Sequence, residues 1–400
     1  MTAEGTHASL GLVDRLLSER TDAEDEARIL EIVSHLSTEA LNALLTDERA
    51  DRLMQALDNH WFGPNHRDAL MELLTVRRAH ELGLHARANL VYSLQTGRTS
   101  SEQEERIADL FCAVTGEELT HFKNIINLRN DHHDLEDLVF VDIDSVQVRQ
   151  RILDHIAEQA QGFQLDEAKV LCDIDDTVFC KLHDRRYPRG TLYPGVLAFQ
   201  EALDQGPHDE PRSQGDLTFV TARPMDFFGL LENHSRASLR QAGVSDLSVM
   251  SGSLRALLTH ESMADKKVVN VTHYVQLYPE YRMIFLGDSG QGDVQVGEQL
   301  WQMFPETVDA VFIHDVTGID EDERTRHAEH KIWLHDTYVG AATKAHELGL
   351  ITQNGLRSVV VEAREELGRI EWDDEQQADA MMQLFARDFA LAETVLSRHA

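Results

Sequence analysis

Between residues 161 and 315, short apolar runs alternate with amphipathic stretches, and this alternation restricts the possible folds more than any other feature of the chain. The runs lie at 170–172, 217–220, 247–250, 283–286 and 310–313. Helical patterns fill 196–203, 227–242, 266–277 and 294–303. Runs this short, flanked by turn residues, suit strands buried on both faces better than helices. Strand and helix in repeated alternation predict an α/β fold, a parallel sheet with helices on both faces. In such a sheet the loops after the strand C-termini carry the chemistry.

The flanks have a different texture. Residues 1–160 and 321–400 show helical spacing, so three parts are expected: a helical domain over 1–160, the α/β domain over 161–320, and an all-α C-terminal region over 321–400. In the last part, helices are expected over 332–348, 356–370 and 377–396, after an exposed charged connection at 321–326. Within the first part a weak repeat recurs at an offset of 78. Thr21, Glu24, Glu26, Arg28 and Ile29 return as Thr99, Glu102, Glu104, Arg106 and Ile107. Thr21 and Thr99 are the expected N-caps, and a turn at 62–65 punctuates the first copy. Two helical units packed together is the simplest account.

Acidic residues outnumber basic ones by 70 to 37, a net charge of −33, and only seven lysines occur, none before Lys123. Such a surface repels phosphate backbones, which argues against nucleic-acid binding, and it is a poor match for an anionic membrane. The three cysteines, Cys112, Cys172 and Cys180, lack metal-binding spacing and suit a reducing compartment. The first residues have no signal-peptide character, and no run is long enough to span a bilayer. A cytoplasmic protein without a transmembrane segment is expected.

Chemistry is concentrated at strand ends. Asp173-Ile-Asp175-Asp176-Thr177 follows the first run. Three carboxylates in four residues repel one another, and a hard divalent cation with oxygen ligands would relieve them. Thr221-Ala222-Arg223-Pro224 closes the second run, Lys267 opens a helix, and Gly287-Asp288-Ser289-Gly290-Gln291-Gly292-Asp293 follows the fourth. Each piece has a plain reading as well: an Asx turn, an exposed helix lysine, a strand-end turn.

In this order the four segments resemble the haloacid dehalogenase superfamily of phosphohydrolases. The stretch from Lys266-Lys267 through Tyr278-Pro279-Glu280-Tyr281 to Gly287-Asp288-Ser289-Gly290-Gln291 is similar to the catalytic domain of the actin-patch-protein type, lipin-like phosphatidate phosphatases. The likeness covers about residues 169–316. It implies a Rossmann-like sheet, a bound Mg²⁺ and a role for each residue. Asp173 would be the nucleophile, forming an aspartyl-phosphate, and a metal ligand. Asp175 would be the acid/base, with its backbone carbonyl on the metal. Thr221 would bond a phosphoryl oxygen. Lys267, twelve residues before Pro279, would neutralise nucleophile and phosphate. Asp288 would ligate the metal, and Asp293 would hold its water shell. One departure stands out: Thr221-Ala222-Arg223-Pro224 is nearer the lipin pattern than the Ser-Asn-Ser-Pro type of the fungal members. That keeps the reaction class and leaves the lipid substrate open. The implied activity is a Mg²⁺-dependent phosphohydrolase acting on an anionic phosphomonoester, with a lipid phosphate such as phosphatidate leading. The alternatives are a sugar or nucleotide phosphate, or a non-catalytic scaffold built on the helical repeats.

The insert at 180–194 is long enough for a hairpin flap. Lys181, Arg185, Arg186 and Arg189 place four cations in nine residues of a very acidic chain. Arg185, Arg186 and Arg189 are expected at the mouth, gathering the anionic substrate, with Tyr187 and Pro188 offering apolar contact. Arg223 and Ser289 are further candidates for holding the phosphate. A merely solvated flap is the alternative. His121, His132, His133 and His314 have no zinc spacing and read as structural.

Overall fold

The computed structural model describes residues 3–17, 21–57, 66–95, 99–127, 135–208, 217–221, 248–251 and 263–398. The chain divides into two compact units, Met1–Gln161 and Gly162–Ala400.

The first unit is helical. Two of its helices, Ala23–His35 and Ser101–Cys112, start 78 residues apart, and each is opened by a capping box. The N-caps are Asp22 and Ser100, paired with Asp25 and Gln103, rather than the expected Thr21 and Thr99. Adjacent polar residues could each cap. Only the one in phase with the amides of the first turn does so, and an N3 acid or amide reaching back marks which. Of the acids shared by the repeat, Glu26 and Glu104 are both buried. Glu104 accepts the N–H groups of Asp144 and Ser145, each at 3.1 Å, and so holds the start of the helix Val146–Gln159. The turn expected at 62–65 lies outside the described residues.

The second unit is built on one parallel sheet. Its strands are β1 (Ala168–Cys172), β2 (Leu217–Thr221), β3 (Ser248–Ser251), β4 (Arg282–Asp288), β5 (Val308–His314) and β6 (Ile332–His335), in the order β3-β2-β1-β4-β5-β6. Helices of this unit are numbered α1 (Val196–Gln205), α2 (Met263–Leu277), α3 (Asp293–Met303), α4 (Glu321–Ala328), α5 (Tyr338–Glu347), α6 (Gln353–Leu367) and α7 (Glu375–Arg398). Alternate strand residues serve opposite faces. Val170, Cys172, Ile284, Leu286, Ala310 and Phe312 share a core with α1, α5, α6 and α7. On the other face α2 packs with α3, and α3 lies on β4 and β5. Gly297 of α3 allows this approach: a Cβ there would stand 2.9 Å from Val311 Cγ1. The helix expected at 227–242 lies outside the described residues.

The C-terminal part differs from the expectation. Ile332-Trp333-Leu334-His335 is a sixth strand paired with β5, not the first turn of a helix. A short apolar run running into a helical pattern cannot be told from that helix by periodicity. The helix begins only where Thr337 accepts the Gly340 N–H. The charged segment after Asp320 is a helix, α4, because Asp320 accepts the Glu323 N–H and caps it. Helices α5–α7 belong to the second unit, where α6 packs on α1 and α5 on β6.

The strand order positions the site. The chain builds outward from β1 through β2 to β3, then returns to the other side of β1 with β4. Loops leaving β1 and β4 therefore diverge, and a crevice opens at the strand C-termini where the order reverses.

Candidate active site

Asp173 continues β1 by one residue: its N–H donates to Leu286 O at 2.9 Å, which carries the ladder past the strand end. Its carboxylate is thereby set at the mouth of the switch point, 4% exposed. Lys267, in the first turns of α2, donates from Nζ to Asp173 Oδ1 at 2.9 Å and to Asp293 Oδ1 at 2.6 Å. Of the adjacent lysines, Lys267 is the buried one. Burial alone would lower the Lys267 ammonium's pKa, but the two carboxylates outweigh it and hold it above its ordinary value. Asp173 Oδ2 is buried and has no hydrogen-bond partner among the described residues.

β4 ends on Asp288, which is fully buried. Its N–H donates to Asp293 Oδ2 at 3.2 Å, so Asp293 is bound on one oxygen by backbone and on the other by Lys267. Gly287 makes this closure possible. A Cβ at that position would lie 2.6 Å from both Cβ and Oδ2 of Asp293. Asp288 Oδ1 accepts the Gly290 N–H at 2.6 Å, and Oδ2 accepts Gln291 Nε2 at 2.9 Å. The same Nε2 donates to the backbone carbonyl of Asp175 at 2.8 Å, which ties the β1 loop to the β4 loop.

Asp173, Asp288 and Asp293 each bring a carboxylate oxygen within 4.8 Å of the others. Burial is the main force raising the Asp173 and Asp288 pKa values. Lys267 opposes it at Asp173, and mutual repulsion adds to it at both. A divalent cation would supply the missing counter-charge. The donor set is all oxygen, suited to Mg²⁺ or another hard ion, with the Asp173 carboxylate, the Asp175 carbonyl and Asp288 as its natural ligands. The residues present therefore fit a hard divalent ion.

The remaining residues named from the sequence are distributed as follows. Asp175 is nearly buried, and its Oδ1 is paired with Lys181 Nζ at 2.9 Å. Thr221 is the last residue of β2, at the C-terminal edge of the sheet and in register with Ser251. Arg223 lies outside the described residues, as do His132 and His133. Ser289 Oγ is bound to Asp315 and Thr317 and accepts the Val316 N–H, so it ties the β4 loop to the β5 loop.

The flap is a hairpin, closed by a bridge between Phe179 and Leu192 and by Cys180 bonds to Thr191 and Gly190. Its three arginines differ in their surroundings. Arg186 is half-buried in a bidentate pair with Asp184, with Nη2 against His314 Nε2 at 2.9 Å. Asp184 also accepts the Tyr193 hydroxyl. Arg185 and Arg189 are exposed, and the Arg185 carbonyl accepts from Gln377. Tyr187 is buried against Tyr193 and Trp372 and offers nothing to a substrate. An acid two residues away, Asp184, out-competes a distant phosphate for Arg186, and an aromatic between polar residues turns inward where a core accepts it.

Asp176 is the residue that sequence reasoning undervalued. It adopts a left-handed φ of 58°, and its carboxylate accepts three consecutive backbone N–H groups, from Lys181, Leu182 and His183, at 2.6, 2.9 and 2.6 Å. Its own carbonyl meets His314 Nδ1 at 3.0 Å. His314 is buried, with both ring nitrogens engaged. Its Nδ1 carries the proton toward that carbonyl, and its Nε2 accepts from Arg186.

Residues 168–315 match the family described as phosphatidate phosphatase APP1, catalytic domain. They are similar to a lipin-like phosphatase. The curated proteins and the solved structures gave no match. The matched stretch starts with β1 and ends one residue past β5, so it includes both acidic strand ends and the flap. β6 and α4–α7 complete the same unit beyond it. On this similarity the chain is an enzyme of the phosphatase type. No helix among the described residues is long and apolar enough to cross a membrane.

Proposed function

We propose that the second unit is a Mg²⁺-dependent phosphohydrolase of the haloacid dehalogenase type, acting through an aspartyl-phosphate on Asp173, with phosphatidate as substrate. One observation carries the chemistry. Asp173 is buried at the switch point with Oδ1 engaged by Lys267 and Oδ2 unpartnered, beside Asp288. A nucleophile needs one oxygen held and the other open.

In the first half-reaction Asp173 Oδ2 attacks phosphorus, the bond to the leaving oxygen breaks, and Asp175 gives that oxygen its proton. In the second, Asp175 takes a proton from water. The water oxygen bonds to phosphorus, the Asp173–phosphorus bond breaks, and inorganic phosphate leaves. Lys267 offsets the charge on Asp173 and on the transferring group. Asp293 fixes Lys267 and the Asp288 backbone together. When bound, Mg²⁺ would be held by Asp173, the Asp175 carbonyl and Asp288, and would neutralise phosphoryl oxygens.

The lipid substrate is supported by the family similarity over residues 168–315. The net charge of −33 favours a second reading, a water-soluble phosphomonoester, because so acidic a chain is repelled by anionic lipid surfaces. Turnover of p-nitrophenyl phosphate with and without Mg²⁺, and of phosphatidate in neutral detergent micelles, tests both. Asp173→Asn should lower turnover on either substrate by about 10⁴–10⁶. Near-normal activity in that variant excludes the covalent mechanism. Activity on the aryl phosphate alone, in a panel that includes sugar phosphates, favours the soluble substrate.

A further inference from the structure

We infer that Lys181 is a substrate-binding residue, whose ammonium moves from its resting partner Asp175 onto the phosphoryl group of the incoming substrate. The inference rests on the phosphatase reading and names the flap group that serves it.

Position comes first. Lys181 Nζ stands 2.9 Å from Asp175 Oδ1, with 25% of the side chain exposed, whereas Lys267 shows 4% and is enclosed by two carboxylates. A phosphate arriving from solvent meets Lys181 before Lys267. The chain has only seven lysines, yet one sits on each carboxylate of the Asp173-Ile174-Asp175 motif.

The lysine is also held in place. Asp176 clamps the backbone of residues 181–183, and its own carbonyl is bound by His314. Gly290, in the β4 loop, lets His183 lie close: a Cβ there would be 3.1 Å from His183 Cβ. The stem of Lys181 therefore starts from a fixed point, and only its methylene chain needs to move. An ion pair at this exposure is weak, so exchanging a carboxylate for a phosphate dianion costs little.

Charge balance gives an independent argument. Asp173, Asp175, Asp288 and Asp293 set four carboxylates against the ammoniums of Lys181 and Lys267. The two negative charges left over are what one divalent cation would cancel. When Asp175 carries the proton it gives to the leaving oxygen, the freed Lys181 ammonium would leave the loaded site with a net positive charge that attracts a phosphate dianion, and without Lys181 that attraction is lost. The flap arginines do not replace it, since Arg186 is bound to Asp184 and Arg185 and Arg189 lie exposed on the surface.

The test is calorimetric titration of the full chain with inorganic phosphate at saturating Mg²⁺, for wild type, Lys181→Gln and Lys181→Arg. KM and kcat on p-nitrophenyl phosphate are measured alongside. Lys181→Gln should weaken phosphate binding and raise KM about tenfold, with kcat within about threefold, as expected for a lost charge-assisted hydrogen bond. Lys181→Arg should recover most of the loss. The rise in Tm produced by Mg²⁺ should match wild type in both, which shows that the fold and the metal site are intact. Unchanged phosphate affinity overturns the inference. So does a fall in kcat at constant KM, which would make Lys181 a positioner of Asp175, and so does a wild type that binds no phosphate. A wild type that binds phosphate through Lys181 but turns over no ester refutes the phosphatase reading alone.

Discussion

Lys267→Met removes an ammonium that lies 2.9 Å from Asp173 and 2.6 Å from Asp293, with 4% of its side chain exposed. Methionine keeps much of the stem's length and apolar character, so packing changes little. What disappears is the counter-charge of two buried carboxylates. Deleting one partner of a buried ion pair typically costs about 3–5 kcal/mol, because the other is left uncompensated. The unit spans Gly162–Ala400. For a domain of that size each kcal/mol shifts Tm by roughly 2–4 °C, so the loss should be about 6–20 °C. Lys181→Met is the control. It breaks a pair that is partly exposed, worth about 0–1 kcal/mol, and should lower Tm by no more than about 4 °C. The assay is differential scanning calorimetry in EDTA, following the transition of the α/β unit. Equal losses in the two variants, or a loss under about 2 °C for Lys267→Met, would refute the claim that Lys267 is the buried electrostatic centre of the site.

Other predictions follow from the same geometry. Mg²⁺ at about a hundred times its Kd should stabilise the wild type by about 2.7 kcal/mol, and Asp288→Ala should abolish that response in a thermal-shift titration. Gly287→Ala would drive a methyl to 2.6 Å from Asp293, so it should cost about 1–3 kcal/mol and reduce activity by displacing Asp293 from Lys267; a variant as stable and active as wild type would contradict the packing. Burial, reinforced by Arg186, lowers the pKa of His314 to about 4, so the unfolded chain binds its proton first as pH falls. Stability should therefore drop between pH 6.5 and 4, by on the order of 2 kcal/mol by pH 5, and His314→Gln should flatten that part of the profile in urea titrations across pH.

Five strands and the order of the acidic and basic residues along them were legible in the sequence, for a local reason. A strand buried on both faces must be a short apolar run, and a loop that gathers carboxylates at its end cannot be hidden by composition. β1, β2, β3, β4 and β5 fall within two residues of the expected runs. The choice of Lys267 over Lys266 followed from the family spacing and agrees with the geometry, since Lys267 is the lysine that reaches Asp173.

Tertiary structure decided the rest, because those features depend on partners far away in sequence. Ile332–His335 became a strand only because the open edge of β5 was there to pair with it. The flap cations looked equivalent along the chain, four in nine residues of an acidic protein. Their roles separate once Asp184 takes Arg186, the hydrophobic core takes Tyr187, and Asp176 turns the backbone so that Lys181 points at Asp175. Asp176 itself looked like one more acid in a cluster. Its function as the clamp of the flap exists only in the folded loop, where a left-handed backbone brings three amides to one carboxylate. Local pattern determines which segments are buried and where charge collects. Which charge meets which depends on distances that only the closed sheet sets.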